Sequence, residues 1–368
     1  MLNVSIGYYR IRISKEINVK NFKRYFLLAL ILLIISVTAF SLETPPIYQS
    51  TWGTAGNSAG QFLKPWGIAV DSSGNVYVAD AYNYRIQKFD PNGVFIAWLG
   101  KGADESTGWH FPGTSVRAVW GLADGQFSAV YGVAIDIAGN IYVADTMNNR
   151  IQKFGPTGNF IVQWGTNGSA EGQFIYPSGI DVDLQGHVYV ADSGNNRVQK
   201  FTSDGIFMVA WGSLGAGLEN LNWPSDIALD DQGNIFVTDQ NNNRINKYLS
   251  SGVLLQTWGV PGSAESQFNG PYGVAIDPKG DIYVTDKGNS RVQKFTSSGE
   301  FLTMWGTLGS SEGQFQFPLG VAVGSSGSIF IADTGNDRIQ KFASAPVDQP
   351  PVTNAGPDQT ITASSTAF

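Results

Sequence analysis
Asp181 and Asp226 are acidic at places where a repeated segment, Pro-x-Gly-Ile-Ala-Val-Asp, otherwise holds alanine and glycine. They belong to neighbouring copies and lie two residues apart in register, so they face the same side of adjacent extended segments. A carboxylate in such an apolar run has to be hydrated, paired or metal-bound. Two acids completed by water or backbone oxygens would form a hard oxygen site suited to calcium or magnesium. Softer chemistry is closed off. The chain has no cysteine, which excludes disulfides, thiolate catalysis and cysteine zinc sites. Its only histidines are His110 and His187, and His187 occupies the asparagine position of a strand turn, so a two- or three-histidine metal site is not expected.

Two other groups of residues have functional potential. An extra 18 residues interrupt the repeat within Lys101 to Ala118 and bring Asp104, Glu105, Trp109, His110, Phe111 and Arg117. The residue between the repeated proline and glycine also varies: Trp66, Tyr131, Ser178, Ser225, Tyr272 and Leu319. The three aromatics could stack on sugar rings or peptide side chains, or simply pack.

The repeated polar residues have a structural reading. Each Val-Ala-Asp aspartate precedes an arginine by five residues across an asparagine-containing turn, as in Asp145 to Arg150. Asparagine tolerates the left-handed conformation, and a carboxylate–guanidinium pair can order such a turn. The Asp-x-x-Gly-Asn turns, as at Asp71 to Asn75, lack the alternating carboxylates and closing glutamate of a calcium loop. Trp164, Trp211, Trp258 and Trp305 share one repeat position and are expected in the core.

The elements that hold these residues come from six copies of one sentence. The copies end at Asp80–Phe89, Asp145–Phe154, Asp192–Phe201, Asp239–Tyr248, Asp286–Phe295 and Asp333–Phe342, spaced by 65 residues once and by 47 four times. A fixed period of this size signals a repeat architecture. Each copy holds four short apolar runs separated by turn residues, a four-stranded meander.

The string from Gly-Ile-Ala-Val-Asp to Arg-Ile-Gln-Lys-Phe resembles the NHL repeats, over roughly residues 47 to 342. The resemblance implies an all-β, six-bladed β-propeller of four-stranded antiparallel blades. Radial stacking would cover both faces of each sheet and leave only short edges. The last copy lacks its outer strand, and a matching one, Ile47–Gly53, precedes the first copy, so this segment is expected to complete the sixth blade. The insertion joins an outer strand to the next innermost strand, and such connections emerge on the face of the Asn-Arg turns, so it is expected over one mouth of the central channel, where long loops on rigid scaffolds commonly carry binding.

Residues 1–39 read as an export signal: six cations and one acid, then the uncharged stretch Tyr25–Phe40, with cleavage expected after Ala39. An uncleaved anchor is the alternative and would be the only membrane contact. Residues 343–368 read as a Pro-rich linker followed, from Pro350, by a segment that resembles the opening of a PKD-type Ig-like module.

Subtracting the leader's six cations and one acid from the chain's 23 and 30 leaves 17 against 29, a net charge of −12. Twelve of the 17 cations belong to the six Arg-x-x-Lys segments and are spread around the ring. Nucleic-acid binding needs a concentrated basic footprint, so it is not expected. The resulting expectation is a monomeric, secreted or cell-surface, non-catalytic scaffold that binds a protein or surface polysaccharide and needs no cofactor. The resemblance implies an alternative, a metal-dependent lyase or lactonase-like hydrolase. Candidate ligand-binding residues are Trp66, Asp104, Trp109, His110, Arg117, Tyr131, Asp181, Asp226 and Tyr272.

Overall fold
The computed structural model describes residues 3–6, 9–12, 43–113 and 117–344, in two units divided after Glu43. The first unit contributes one antiparallel strand pair, Asn3–Ile6 with Tyr9–Arg12. The stretch Tyr25–Phe40, the cleavage after Ala39 and the PKD-like segment lie outside the described residues. Among the described residues no helix is long and apolar enough to cross a membrane.

The second unit is an all-β propeller of six four-stranded antiparallel blades. Their innermost strands are Pro65–Val70, Val130–Ile135, Pro177–Val182, Pro224–Leu229, Pro271–Ile276 and Pro318–Val323. We number the blades 1 to 6 in that order. The second strand of each blade is apolar on both faces. In blade 1 it is Val76–Asp80, buried throughout. Continuous apolar runs of this kind suit a strand covered on both sides. The core is accordingly divided among the seams. Tyr77, Ala79 and Ile86 of blade 1 pack on Val133, Ile141 and Val143 of blade 2, and Val76 and Val78 pack on Ala322, Phe330 and Ala332 of blade 6.

Close approach at the axis explains a repeated glycine. A Cβ on Gly132 would lie 2.1 Å from the Ser178 carbonyl oxygen of the next blade, so a side chain there would force the strands apart. Asp226 is the exception at this register, in blade 4, where its carboxylate is accommodated by accepting from the Val274 N–H of blade 5.

Ile47–Trp52 is the outermost strand of blade 6, antiparallel to Arg338–Ala343, with Trp52 opposite Ile339 and Ile47 opposite Ala343. Thr51 Oγ1 donates to the Ile339 carbonyl at 2.9 Å. Trp52 packs on Phe330 of blade 6 and Phe89 of blade 1, which seals the ring.

The inserted segment departs from expectation. Thr107–His110 is a fifth strand on the outer edge of blade 1, pairing Leu99 with Trp109 and Trp98 with His110. Trp109 and His110 therefore lie at the rim of the ring and not over the channel mouth. The physical reason is that the outer strand Phe95–Lys101 presents an open edge whose backbone groups need partners.

Candidate functional site
The face carrying the Asn-Arg turns is framed by a repeated polar network. In blade 1, Arg85 Nε donates to Asp80 Oδ2 at 2.8 Å while its Nη2 donates to the Ser58 and Gln61 carbonyls at 2.7 and 2.9 Å. Asp80 Oδ1 accepts from the Leu63 N–H at 2.7 Å, and Asn83 and Gln87 amides complete its shell. One aspartate thus ties the turn to the loop arriving from the preceding blade. Equivalent pairs occur at Asp145–Arg150, Asp192–Arg197, Asp239–Arg244, Asp286–Arg291 and Asp333–Arg338, all at 2.7–2.8 Å. Burial pushes the Asp80 carboxyl up, and Arg85 with the Leu63 N–H pulls it back down.

The turns on the opposite face are also self-satisfied. Asp71 accepts from the Ser73 and Asn75 N–H groups, the Asn75 side chain and the Tyr77 hydroxyl. His187 takes the asparagine place in its turn, with Nδ1 2.8 Å from Asp183 Oδ2. The shared tryptophans pack against the seams, with Trp305 buried.

The axial channel encloses a cavity of about 180 Å³ lined by glycine and aliphatic side chains together with Asp181 and Asp226. Each carboxylate reaches across a seam. Asp181 Oδ2 accepts from the Leu229 N–H at 2.9 Å, and Asp226 Oδ2 accepts from the Val274 N–H at 3.0 Å. Asp181 Oδ1 also takes the N–H of Val182 at 2.8 Å. Backbone amides of the next blade therefore take part of the role the sequence assigned to water or a cation. Burial pushes Asp181 up to about 7, opposed by these amides, and pushes Asp226 to about 7 in the same way, with Asp181 adding to the rise. Among the described residues, no group of three or more histidine, cysteine, aspartate or glutamate side chains is placed to share a metal ion.

The three channel-mouth aromatics meet. Trp66 stacks on Tyr131, with ring centroids 3.8 Å apart and 9° between planes, and Trp66 Nε1 donates to the Tyr272 hydroxyl from across the ring. They cover the mouth largely by packing on one another, and burial pushes both tyrosine hydroxyls up.

The insertion residues separate into two places. His110 is buried, stacked on Trp98 at 3.7 Å, with Nε2 3.2 Å from the Gly100 carbonyl oxygen, and burial lowers its pKa. Trp109 Nε1 donates to Pro156 O of blade 2. Asp104 is exposed and held below the usual carboxylate range by hydrogen bonds from Ser106. Arg117 lies elsewhere, on a cleft of about 450 Å³ shared with Leu63, Tyr82, Tyr84 and Trp120.

Sequence reading missed the residues that now stand out on this face. Tyr82, Trp120, Tyr176, Trp223 and Phe317 are large, apolar and 38–66% exposed. Tyr176, Trp223 and Phe317 immediately precede the blade prolines and have left-handed backbones, φ 52°, 57° and 50°. The left-handed backbone belongs to the repeat, since Lys64, Ala129 and Gly270 share it in the other blades, and what varies is the side chain it turns outward. The signal was available, because these positions vary from copy to copy.

Six matches to the NHL repeat model cover residues 62–89, 132–154, 174–201, 221–248, 268–295 and 315–342. Peptidyl-glycine alpha-amidating monooxygenase A of Xenopus laevis is 36% identical over 125 residues, covering 33% of this chain and 12% of that protein. The E3 ubiquitin-protein ligase TRIM71 of Bos taurus is 47% identical over 45 residues, 12% of this chain and 5% of that protein. The chain thus spans a small fraction of the length of these relatives. A streptogramin B lyase structure superposes with a TM-score of 0.52 at 18% identity, covering 81% of this chain and 97% of the other, and shares the fold. With six matched repeats forming six blades, the chain belongs to the NHL-repeat family.

Proposed function
We propose that this chain is a non-catalytic interaction scaffold that works outside the cell and engages a protein or surface polysaccharide through the face of the Asn-Arg turns. The observation that carries this reading is a division of labour on that face. The repeated aspartates, asparagines and arginines are consumed within the fold, while the variable positions present Tyr82, Trp120, Tyr176, Trp223 and Phe317 to solvent. Exposed aromatics on a rigid frame are typical binding anchors. The leader-like residues 1–39 support export.

A second reading draws on the channel. Two carboxylates pushed to about 7 in the axial cavity have acid–base capacity at neutral pH, which supports lactonase- or lyase-like chemistry.

The test is capture of partners from native surface extract by the full chain. A variant with Tyr82→Ser, Trp120→Ser and Phe317→Ser should lose its specific partners. A control with Ile137→Ser, Leu184→Ser and Ile206→Ser on exposed residues of the opposite face should keep them. An unchanged partner set in the first variant sinks the loop-face reading.

A further inference from the structure
Five cations of the propeller lie outside the Arg-x-x-Lys segments: Lys64, Lys101, Arg117, Lys279 and Lys287. Lys64 pairs with Asp337 and Lys101 with Glu105. Lys279 sits in a hairpin turn of the opposite face, and Arg117 borders the insertion cleft. Lys287 differs from all four. It is half-buried beside the channel mouth, its ammonium 5.6 Å from the centre of the Tyr272 ring. Among the described residues, no carboxylate lies within ion-pair distance of it. Burial alone holds its pKa below the ordinary lysine range. A partly desolvated ammonium without a counter-charge is unfavourable, and such groups mark places where an anion arrives.

The surroundings give that anion a shape. The residue preceding the innermost strand is Lys64, Ala129, Tyr176, Trp223, Gly270 or Phe317, each in the left-handed region. Glycine in blade 5 opens a notch. A Cβ on Gly270 would lie 3.4 Å from Lys287 Cε and 4.0 Å from Gln240 Cγ, so the two side chains flank it. Gln240 Oε1 is buried without a hydrogen-bond partner and needs a donor. Continuing around the ring, Trp223 and Tyr176 are exposed, with ring centroids 6.1 Å apart.

We propose that the channel mouth from blade 3 to blade 5 is a subsite for a carboxylated saccharide, with the carboxylate on Lys287 and a hydroxyl donating to Gln240 Oε1. The sugar ring lies against Trp223 and Tyr176. A charge-assisted bond to the ammonium supplies the selectivity for acid over neutral sugar. The aromatic platform beside an unpartnered acceptor favours a saccharide, which presents a ring face, hydroxyl donors and a carboxylate on one unit, over an acidic peptide. This subsite builds on the loop-face reading and narrows its ligand.

Isothermal titration of the full chain with tetragalacturonic acid, its methyl ester and tetraglutamate tests the assignment. The acid should bind, and the ester should bind about tenfold more weakly, the loss of one charge-assisted hydrogen bond. Lys287→Met should bring the acid down to the ester's affinity, and Gln240→Ala and Trp223→Ala should each weaken the acid several-fold, with unchanged circular dichroism. The assignment is overturned by absence of acid binding, by equal binding of acid and ester, by a silent Lys287→Met, or by tetraglutamate binding as tightly as the acid. Partner capture that still depends on Tyr82, Trp120 and Phe317 would leave the scaffold reading standing even if this subsite fell.

Discussion
The turns hold buried carboxylates and the channel holds half-buried ones, and their difference separates framework from candidate function. Asp145 in a turn has Arg150 at 2.7 Å, Asn148 at 2.9 Å and the Ser128 N–H at 2.7 Å. Asp181 and Asp226 in the channel have backbone N–H groups and no cation partner among the described residues. A guanidinium offsets the desolvation of a carboxylate far better than neutral amides do. The turn set is therefore fixed as structure, whereas the channel pair remains poised to titrate near neutrality.

The comparison can be broken most strongly from the framework side. Deleting residues 47–53 removes a whole ladder, at about 1 kcal/mol net per hydrogen bond, plus the burial of Trp52 at about 25 cal/mol per Å². We expect a lower melting temperature or association through the exposed edge of blade 6, read by calorimetry and light scattering. An unchanged monomer would refute the role of this strand in holding the ring. Next in size, Asp145→Ala leaves the Arg150 guanidinium buried without its partner and should cost about 3–5 kcal/mol in urea unfolding. Replacing both with apolar residues, Asp145→Leu with Arg150→Met, should recover part of that loss.

The channel pair should show itself through pH. Both folded pKa values, about 7, lie above the unfolded value of about 3.9, so the folded state binds more protons in between. Their contribution is fully present below about pH 4 and is lost as pH rises through about 7. The slope is at most about 1.4 kcal/mol per pH unit for each group, lessened because the two titrate as a coupled pair. Asp181→Asn with Asp226→Asn should flatten the difference in urea midpoint between pH 5 and pH 7.5 relative to wild type. A parallel pH dependence in both proteins would show that the channel pair does not titrate there.

The smallest expected effect is that of metal. Saturating calcium or magnesium would add about 2.7 kcal/mol at a hundredfold excess over Kd if the channel held an ion. We expect melts with calcium, magnesium and chelator to coincide. A metal-dependent shift erased by the same substitutions would bring hydrolytic or lyase chemistry forward.

The blades were legible because every copy repeats both its apolar runs and its turn residues, so six independent readings agree. The edge strand Thr107–His110 was not, since Thr-Gly-Trp-His has no alternation and pairs only because Phe95–Lys101 offers a free edge. The seam bonds of Asp181 and Asp226 join residues 48 apart and depend on the stacking distance of blades, which no local pattern encodes. Comparing only the second residue of each innermost strand singled out Trp66, Tyr131 and Tyr272, which turn out to pack together. The residue before each innermost strand and the residue after each strand-ending aspartate, Asp239 and Asp286 among them, were the more informative variables, because those are the ones that present Trp223, Gln240 and Lys287 on this face.

The strand that seals blade 6 also sets a schedule for biosynthesis. Thr51 bonds a residue 288 positions later. At about 5–20 residues per second, its partner leaves the ribosome roughly 15–60 s after it does. Throughout that interval the nascent chain carries an unpaired β edge, while blades 1 to 5 are already able to form one after another from local contacts. The closing strand is thus made first and used last. Its exposed period ends only when the final repeat arrives, so a chain interrupted before Arg338–Ala343 would leave Ile47–Trp52 without the strand it pairs with.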